Sequence, residues 1–209
     1  MLSGGVVMNP PNALPASAPL PLKATDAPDP RLRERTILLV GLMGSGKSTV
    51  GRGLAAALQL PFRDADEEIE RAARRTVAEI FAERGETEFR DGERRVIARL
   101  ITSEPPHVLA AGGGAFTDPA TRALARRAAL CVWLKADLEL IAQRVSRRNT
   151  RPLLHGRDPM EVLTAQAAQR YAHYAEAHVT VETADANVAV SVEGVLKALH
   201  AHLEREAQA

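Results

Sequence analysis

Across 209 residues there is one cysteine, Cys131, and aromatic side chains make up only 3%. A lone cysteine excludes a disulfide framework and a cysteine-ligated metal cluster. It lies in the run Ala129-Leu130-Cys131-Val132-Trp133-Leu134, which reads as a buried strand, so Cys131 reads as an inert core thiol. So few aromatics argue against a nucleic-acid platform built on stacked rings. Charge of one sign is lacking too. With 27 Lys and Arg against 26 Asp and Glu, the formal net charge is +1, which leaves no global field for a polyanion or an anionic membrane. No apolar run approaches the roughly 18 residues of a membrane span, and a cytoplasmic location is expected. What remains is ordinary globular composition, 45% hydrophobic and 25% charged, in a chain long enough for one domain with a full core.

Residues 1–33 stand apart, with seven of the 13 prolines and no helical or strand period. Such a segment buries too little apolar surface to offset its ordering entropy, so it reads as a disordered tail. It lacks the basic and apolar regions of a secretory signal, and Met8 is an alternative start to Met1. The folded domain is expected over 34–209.

From Glu34 onward, strand-like runs alternate with amphipathic stretches. Strands are expected at Thr36–Val40, Pro61–Asp64, Val108–Ala111, Ala129–Leu134 and His178–Val181. Helices are expected at Lys47–Leu58, Pro119–Arg127, Leu138–Arg148, Met160–Glu176 and Val190–Glu206, with a long helical block over Asp66–Ile101. That block breaks near Arg75 and Gly85, and Thr76-Val77-Ala78-Glu79 has the spacing of a capping box. Alternating strands and helices imply an α/β fold with a mostly parallel sheet covered on both faces.

Between the first strand and the first helix stands GLMGSGKST, residues 41–49. Gly41 to Ser48 fit the P-loop pattern in the strand-to-helix context that it requires. Its backbone amides curl around phosphate oxygens, Lys47 reaches the β- and γ-phosphates, and Ser48 suits Mg²⁺. A P-loop serves motors, switches and kinases alike, so the acceptor must be read elsewhere.

Asp64 and Asp66, two apart on an extended segment, point to the same side. One would hold Mg²⁺ through water and the other would orient or take a hydroxyl proton; alternatively both cap the next helix. Gly112, Gly113 and Gly114 follow the third strand, either opening backbone amides to a ligand or forming a plain turn. A basic stretch with Arg144, Arg147, Arg148 and Arg151 precedes Pro152. It reads either as a lid over a nucleotide or as solvated helix charge. Arg90 and Arg170 are two further helix arginines.

In this order, GLMGSGKSTVGR, DADEEIE, IFAERGETEFR, GGGA and RPLL resemble shikimate kinase, a family that phosphorylates shikimate in aromatic amino-acid biosynthesis. The resemblance runs from about Thr36 to about Leu203. It implies a P-loop kinase fold of the nucleoside-monophosphate-kinase type, in three layers around a five-stranded sheet, with a substrate-binding segment near 66–101 and a mobile lid near 147–160. It implies that Gly44, Ser45, Gly46, Lys47, Ser48 and Thr49 hold the phosphates of ATP, with Mg²⁺ on Ser48 and Asp64. Asp66 would bind the hydroxyl that is phosphorylated, Arg90 and Arg170 would clamp the shikimate carboxylate, and Gly112, Gly113 and Gly114 would line its site. Arg151 would swing onto the phosphates, and Arg144 would lie against the adenine. A monomer that binds neither nucleic acid nor membrane is expected. Asn187-Val188 stands where many relatives carry Asn-Pro, near the adenine end. A gluconate-type sugar-acid kinase, a nucleoside-monophosphate kinase and a regulatory protein that has lost the reaction are the alternatives. The EFR block, the triple glycine and the RPLL stretch argue against the first, the carboxylate clamp in place of a nucleobase pocket against the second, and the presence of Lys47, Asp66 and both clamp arginines against the third.

Overall fold

The computed structural model describes residues 28–146, 158–184 and 187–208. The first strand, β1 (Thr36–Val40), leads through the glycine loop into α1 (Lys47–Leu58). Strand β2 (Phe62–Asp64) follows, then helices α2 (Ala65–Ala73) and α3 (Val77–Ser103). Next come β3 (Val108–Ala110), α4 (Pro119–Ala128), β4 (Ala129–Ala136) and α5 (Leu138–Ser146). The chain ends with α6 (Pro159–Tyr174), β5 (Val179–Thr183) and α7 (Val188–Gln208). The sheet order is β2-β3-β1-β4-β5 and every strand pair is parallel.

Parallel strands need both faces covered, and the sequence supplies that by alternation. Leu38, Val40, Leu109, Cys131 and Trp133 face one core with Ile97, Leu100, Ile141 and Leu163. Ile37, Leu39, Val108, Leu130 and Val132 face the other, with Leu54, Leu58, Val195 and Leu199 of α1 and α7. Each such fully buried leucine stabilises the fold by about 1.5–3 kcal/mol. Because β1 lies between β3 and β4, the chain passes to either side of it. Open α/β sheets bind ligands at the carboxyl ends of the strands beside such a point.

Beyond the sheet, α2 and the start of α3 build a small satellite core from Ile69, Ile80 and Phe89. The capping box is present: Glu79 N donates to Thr76 Oγ1 at 3.2 Å and Thr76 N to a Glu79 carboxylate oxygen at 2.7 Å. The break expected at Gly85 is a kink within α3, where φ is 77° and ψ 175°.

Several boundaries differ from the sequence reading. Strands β4 and β5 run on to Ala136 and Thr183, because their ladder continues through the pairs Lys135–Glu182 and Ala136–Thr183. Pro30–Arg33, assigned to the tail, forms a 3-10 turn capped by Asp29, whose carboxylate accepts from Arg31 N at 2.9 Å. The turn is held because Leu32 is only 1% exposed, packed into the α1–α7 core. Arg35 reaches Glu206 of α7 at 2.9 Å beside it. Residues 1–27 of the expected tail, and Arg147, Arg148, Arg151 and most of the expected lid, lie outside the described residues.

Candidate active site

The P-loop lies at the end of β1. Gly46 is the N-cap of α1 with φ at +96°, a left-handed conformation that glycine adopts freely. With no side chain at that cap, the first amides of α1 are left for a ligand, and the helix dipole favours an anion there. Lys47 curls back over its own loop and donates to Gly41 O at 2.9 Å and Leu42 O at 2.8 Å. Those carbonyls hold the ammonium group above the loop it belongs to.

Asp64 serves two elements with its two oxygens. Oδ1 accepts from Asp66 N at 3.1 Å, capping α2, and Oδ2 accepts from Ser48 Oγ at 2.7 Å. Of the alternatives left open by spacing, Asp64 makes the helix cap with one oxygen and meets Ser48 with the other. A serine hydroxyl and a carboxylate meeting beside the phosphate loop form a hard oxygen set of the kind that suits Mg²⁺, which keeps its remaining positions for water and phosphate. The residues fit that ion.

Gly44 to Thr49, Asp64, Asp66, Gly112 and Gly113 line a cavity of about 430 Å³. At its other end stand Arg144, Val145, Thr183, Val188 and Ser191. Arg144 donates to Ala184 O at 3.3 Å, so its guanidinium is tied across the mouth of that end.

The three glycines are the crossing point of the site. A methyl group built on Gly112 would stand 2.5 Å from Glu93 Oε1 and 3.3 Å from Asp66 Oδ1. On Gly113 it would stand 3.1 Å from Arg170 Nη1, and on Gly114 2.7 Å from Arg90 Nη1. Residues with side chains would therefore displace the groups that the turn gathers. Two carboxylates lie toward its first residue and two guanidinium groups toward its last two. Arg90 and Arg170 do not line the cavity itself; they reach the turn from α3 and α6.

Two residues of this cluster escaped the sequence reading. Glu93, one turn after Arg90 on α3, is 3% exposed and accepts from Arg90 Nη1 at 2.7 Å. Its other oxygen, Oε1, has no hydrogen-bond partner among the described residues. Burial raises its pKa against the pull of Arg90, and the Asp66 charge adds to the rise. Tyr174, one turn after Arg170 on α6, donates its hydroxyl to Gly113 O. The signal for both was present as i, i+3 and i, i+4 spacing on predicted helices. A second hollow, of about 490 Å³, lies on the outer face of α3 between Arg84, Asp91 and Arg95 and touches none of these groups.

The shikimate kinase family model matches residues 43–200. A shikimate kinase from Caulobacter vibrioides is 64% identical over 168 residues, covering 80% of this chain and 84% of the relative. The chain belongs to the shikimate kinase family. A shikimate kinase from Brucella canis is 49% identical over 175 residues, covering 84% of this chain and 87% of that one. Among solved structures, a shikimate kinase from Acinetobacter baumannii in complex with shikimate is 37% identical, with a TM-score of 0.77, and the match covers 83% of this chain and 98% of that one. Family membership and the all-parallel five-stranded sheet of the described residues agree with the P-loop kinase fold expected from the motifs. No helix among the described residues is long and apolar enough to cross a membrane.

Proposed function

We propose that this chain transfers the γ-phosphoryl group of ATP to the 3-hydroxyl of shikimate, giving shikimate 3-phosphate and ADP, a step of aromatic amino-acid biosynthesis. The observation that carries this reading is the convergence of Asp66, Arg90 and Arg170 on Gly112 to Gly114 beside the P-loop. A small ring with one carboxylate and several hydroxyls needs such a pair of opposite ends. Guanidinium forks pair with a carboxylate bidentately, so Arg90 and Arg170 fix one end of the ring. Asp66 takes the other.

In the reaction, the 3-hydroxyl oxygen forms a bond to the γ-phosphorus while the bond from that phosphorus to the β–γ bridging oxygen breaks. The hydroxyl proton passes to the Asp66 carboxylate, and ADP departs. Phosphoryl transfer needs alignment and charge neutralisation more than covalent help. The amides of Gly44 to Thr49 cradle the phosphates, and Lys47 exchanges its two loop carbonyls for phosphate oxygens. Ser48 and Asp64 would hold Mg²⁺, and when bound that ion would supply charge neutralisation at the phosphates. Glu93 holds Arg90 in place from behind. Arg144 lies against the adenine end, with Val188 beside it. Arg151, outside the described residues, adds positive charge at the phosphates in this reading. The protein acts as a cytoplasmic monomer on ATP and shikimate, with no nucleic acid or membrane as partner.

Phosphorus NMR of the product tests the assignment. Purified protein with Mg·ATP and shikimate should give one new phosphate ester, coupled to the proton on carbon 3. An ester on another hydroxyl, or inorganic phosphate alone, would overturn it.

A further inference from the structure

Tyr174 is the largest fully buried side chain of the described residues, at 0% exposure. Its ring sits 5.9 Å from Trp133 and 6.4 Å from Tyr171, and Trp133 meets Tyr171 edge-on at 5.0 Å. Three aromatic rings thus fix where its hydroxyl points. The hydroxyl donates to Gly113 O, and the Arg170 guanidinium stands beside the same residue, its Nη1 3.1 Å from where a methyl group on Gly113 would be. A phenol has one proton to give, and here it goes to the carbonyl. Burial pushes the phenol up to about 12, so it stays a protonated donor across the working range of pH.

We propose that Tyr174 is a positioning residue for acceptor recognition: its hydroxyl holds the Gly113 turn in place against the Arg170 guanidinium, so that side chain and turn meet the same substrate carboxylate as one unit. This rests on the carboxylate clamp described above. Arg170 has five donors in a flat fork. One is taken by Gln166 Oε1 at 3.2 Å. Arg170 Nη1 stands beside the Gly113 turn, and the rest of the fork is left for the ligand. Without the hydroxyl, Gly113 O loses its donor, and the turn beside Arg170 regains freedom that must be lost again on binding.

Tyr174→Phe keeps the ring and its packing and removes only the hydroxyl. Acceptors are shikimate and its analogue with a hydroxymethyl group in place of the carboxylate. In the variant, kcat/KM for shikimate should fall about tenfold, through KM, as expected for loss of one buried hydrogen bond. The KM for ATP and kcat/KM for the analogue should hold, so the ratio between the two acceptors shrinks by the same factor. An equal fall with both acceptors, or no fall, overturns the proposal. Gly113→Ala provides a second route that leaves the Tyr174 ring untouched, since its methyl would stand 3.1 Å from Arg170 Nη1. An unchanged ratio there also overturns the tie. Arg170→Ala separates the two levels of the reading. If it abolishes the discrimination and Tyr174→Phe does not, the tie alone is wrong. If Arg170→Ala leaves the discrimination unchanged, the carboxylate clamp falls and the tie falls with it.

Discussion

Glu93 and Arg90 lie one turn apart on α3, with the Glu93 carboxylate 2.7 Å from the Arg90 guanidinium and almost wholly out of water. Arg90 is held from its buried side, while Glu86 accepts from its outer edge at 3.2 Å. A guanidinium pinned this way loses less side-chain entropy when it receives a substrate carboxylate.

The protonation of Glu93 should therefore be visible in binding. Burial raises its pKa above the ordinary glutamate range, Arg90 and Arg170 oppose the rise, and Asp66 adds to it. As pH falls through that raised value, the carboxyl is protonated, Arg90 loses its anchor and the shikimate KM should climb. Stability moves the other way. A carboxyl with a raised folded-state pKa contributes fully below its unfolded value, and that contribution is lost as pH rises through the folded one. The KM rise should thus occur without a matching loss of melting temperature from this group. In Glu93→Gln the acid limb of the shikimate KM profile should flatten, and an unchanged limb would remove Glu93 from the clamp.

Gly114→Ala probes the other side of Arg90. Gly114 has φ of −94°, which alanine accepts, yet its methyl would stand 2.7 Å from Arg90 Nη1. Arg90 is the end of a long side chain and can swing aside, so the fold should hold while the clamp opens. Shikimate KM should rise about tenfold or more with ATP KM unchanged, measured by steady-state kinetics. A large loss of melting temperature with KM intact would show that the contact is structural.

Lys47→Ala should lower kcat by about 10²–10³, the usual cost of removing one group that stabilises charge in a transition state. Lys47 bonds loop carbonyls at 2.8–2.9 Å, so melting temperature is the control for loop integrity. A kcat near that of the unaltered protein would contradict its role.

Asp66→Asn keeps the shape and removes the proton acceptor. A fall in kcat of about 10²–10⁴ is expected for loss of a general base, with nucleotide affinity by calorimetry held. A defect confined to nucleotide binding would move Asp66 to the metal beside Asp64.

Much of this was legible in the residues because local chemistry and tertiary need agree there. β1 and α1 fall where the apolar run and the P-loop place them, and the Thr76 capping box starts α3 as its spacing requires. Gly85 is non-helical and separates two helical segments of α3 where the sequence reading placed the break. Longer-range partners were less legible. Leu32 sits among prolines and reads as tail until α1 and α7 present a core for it. The last two residues of β4 are strand only because β5 runs beside them. Glu93 and Tyr174 belong to no motif of the sequence, and only the approach of Gly112 to Gly114 gives them a role.

The most direct measurement is the initial rate of ADP release with Mg·ATP, comparing shikimate, gluconate, AMP and no acceptor. The account predicts turnover with shikimate and background with the other three. Turnover with gluconate or AMP, and none with shikimate, would keep the phosphate loop and contradict the Arg90–Arg170 clamp on which the account depends.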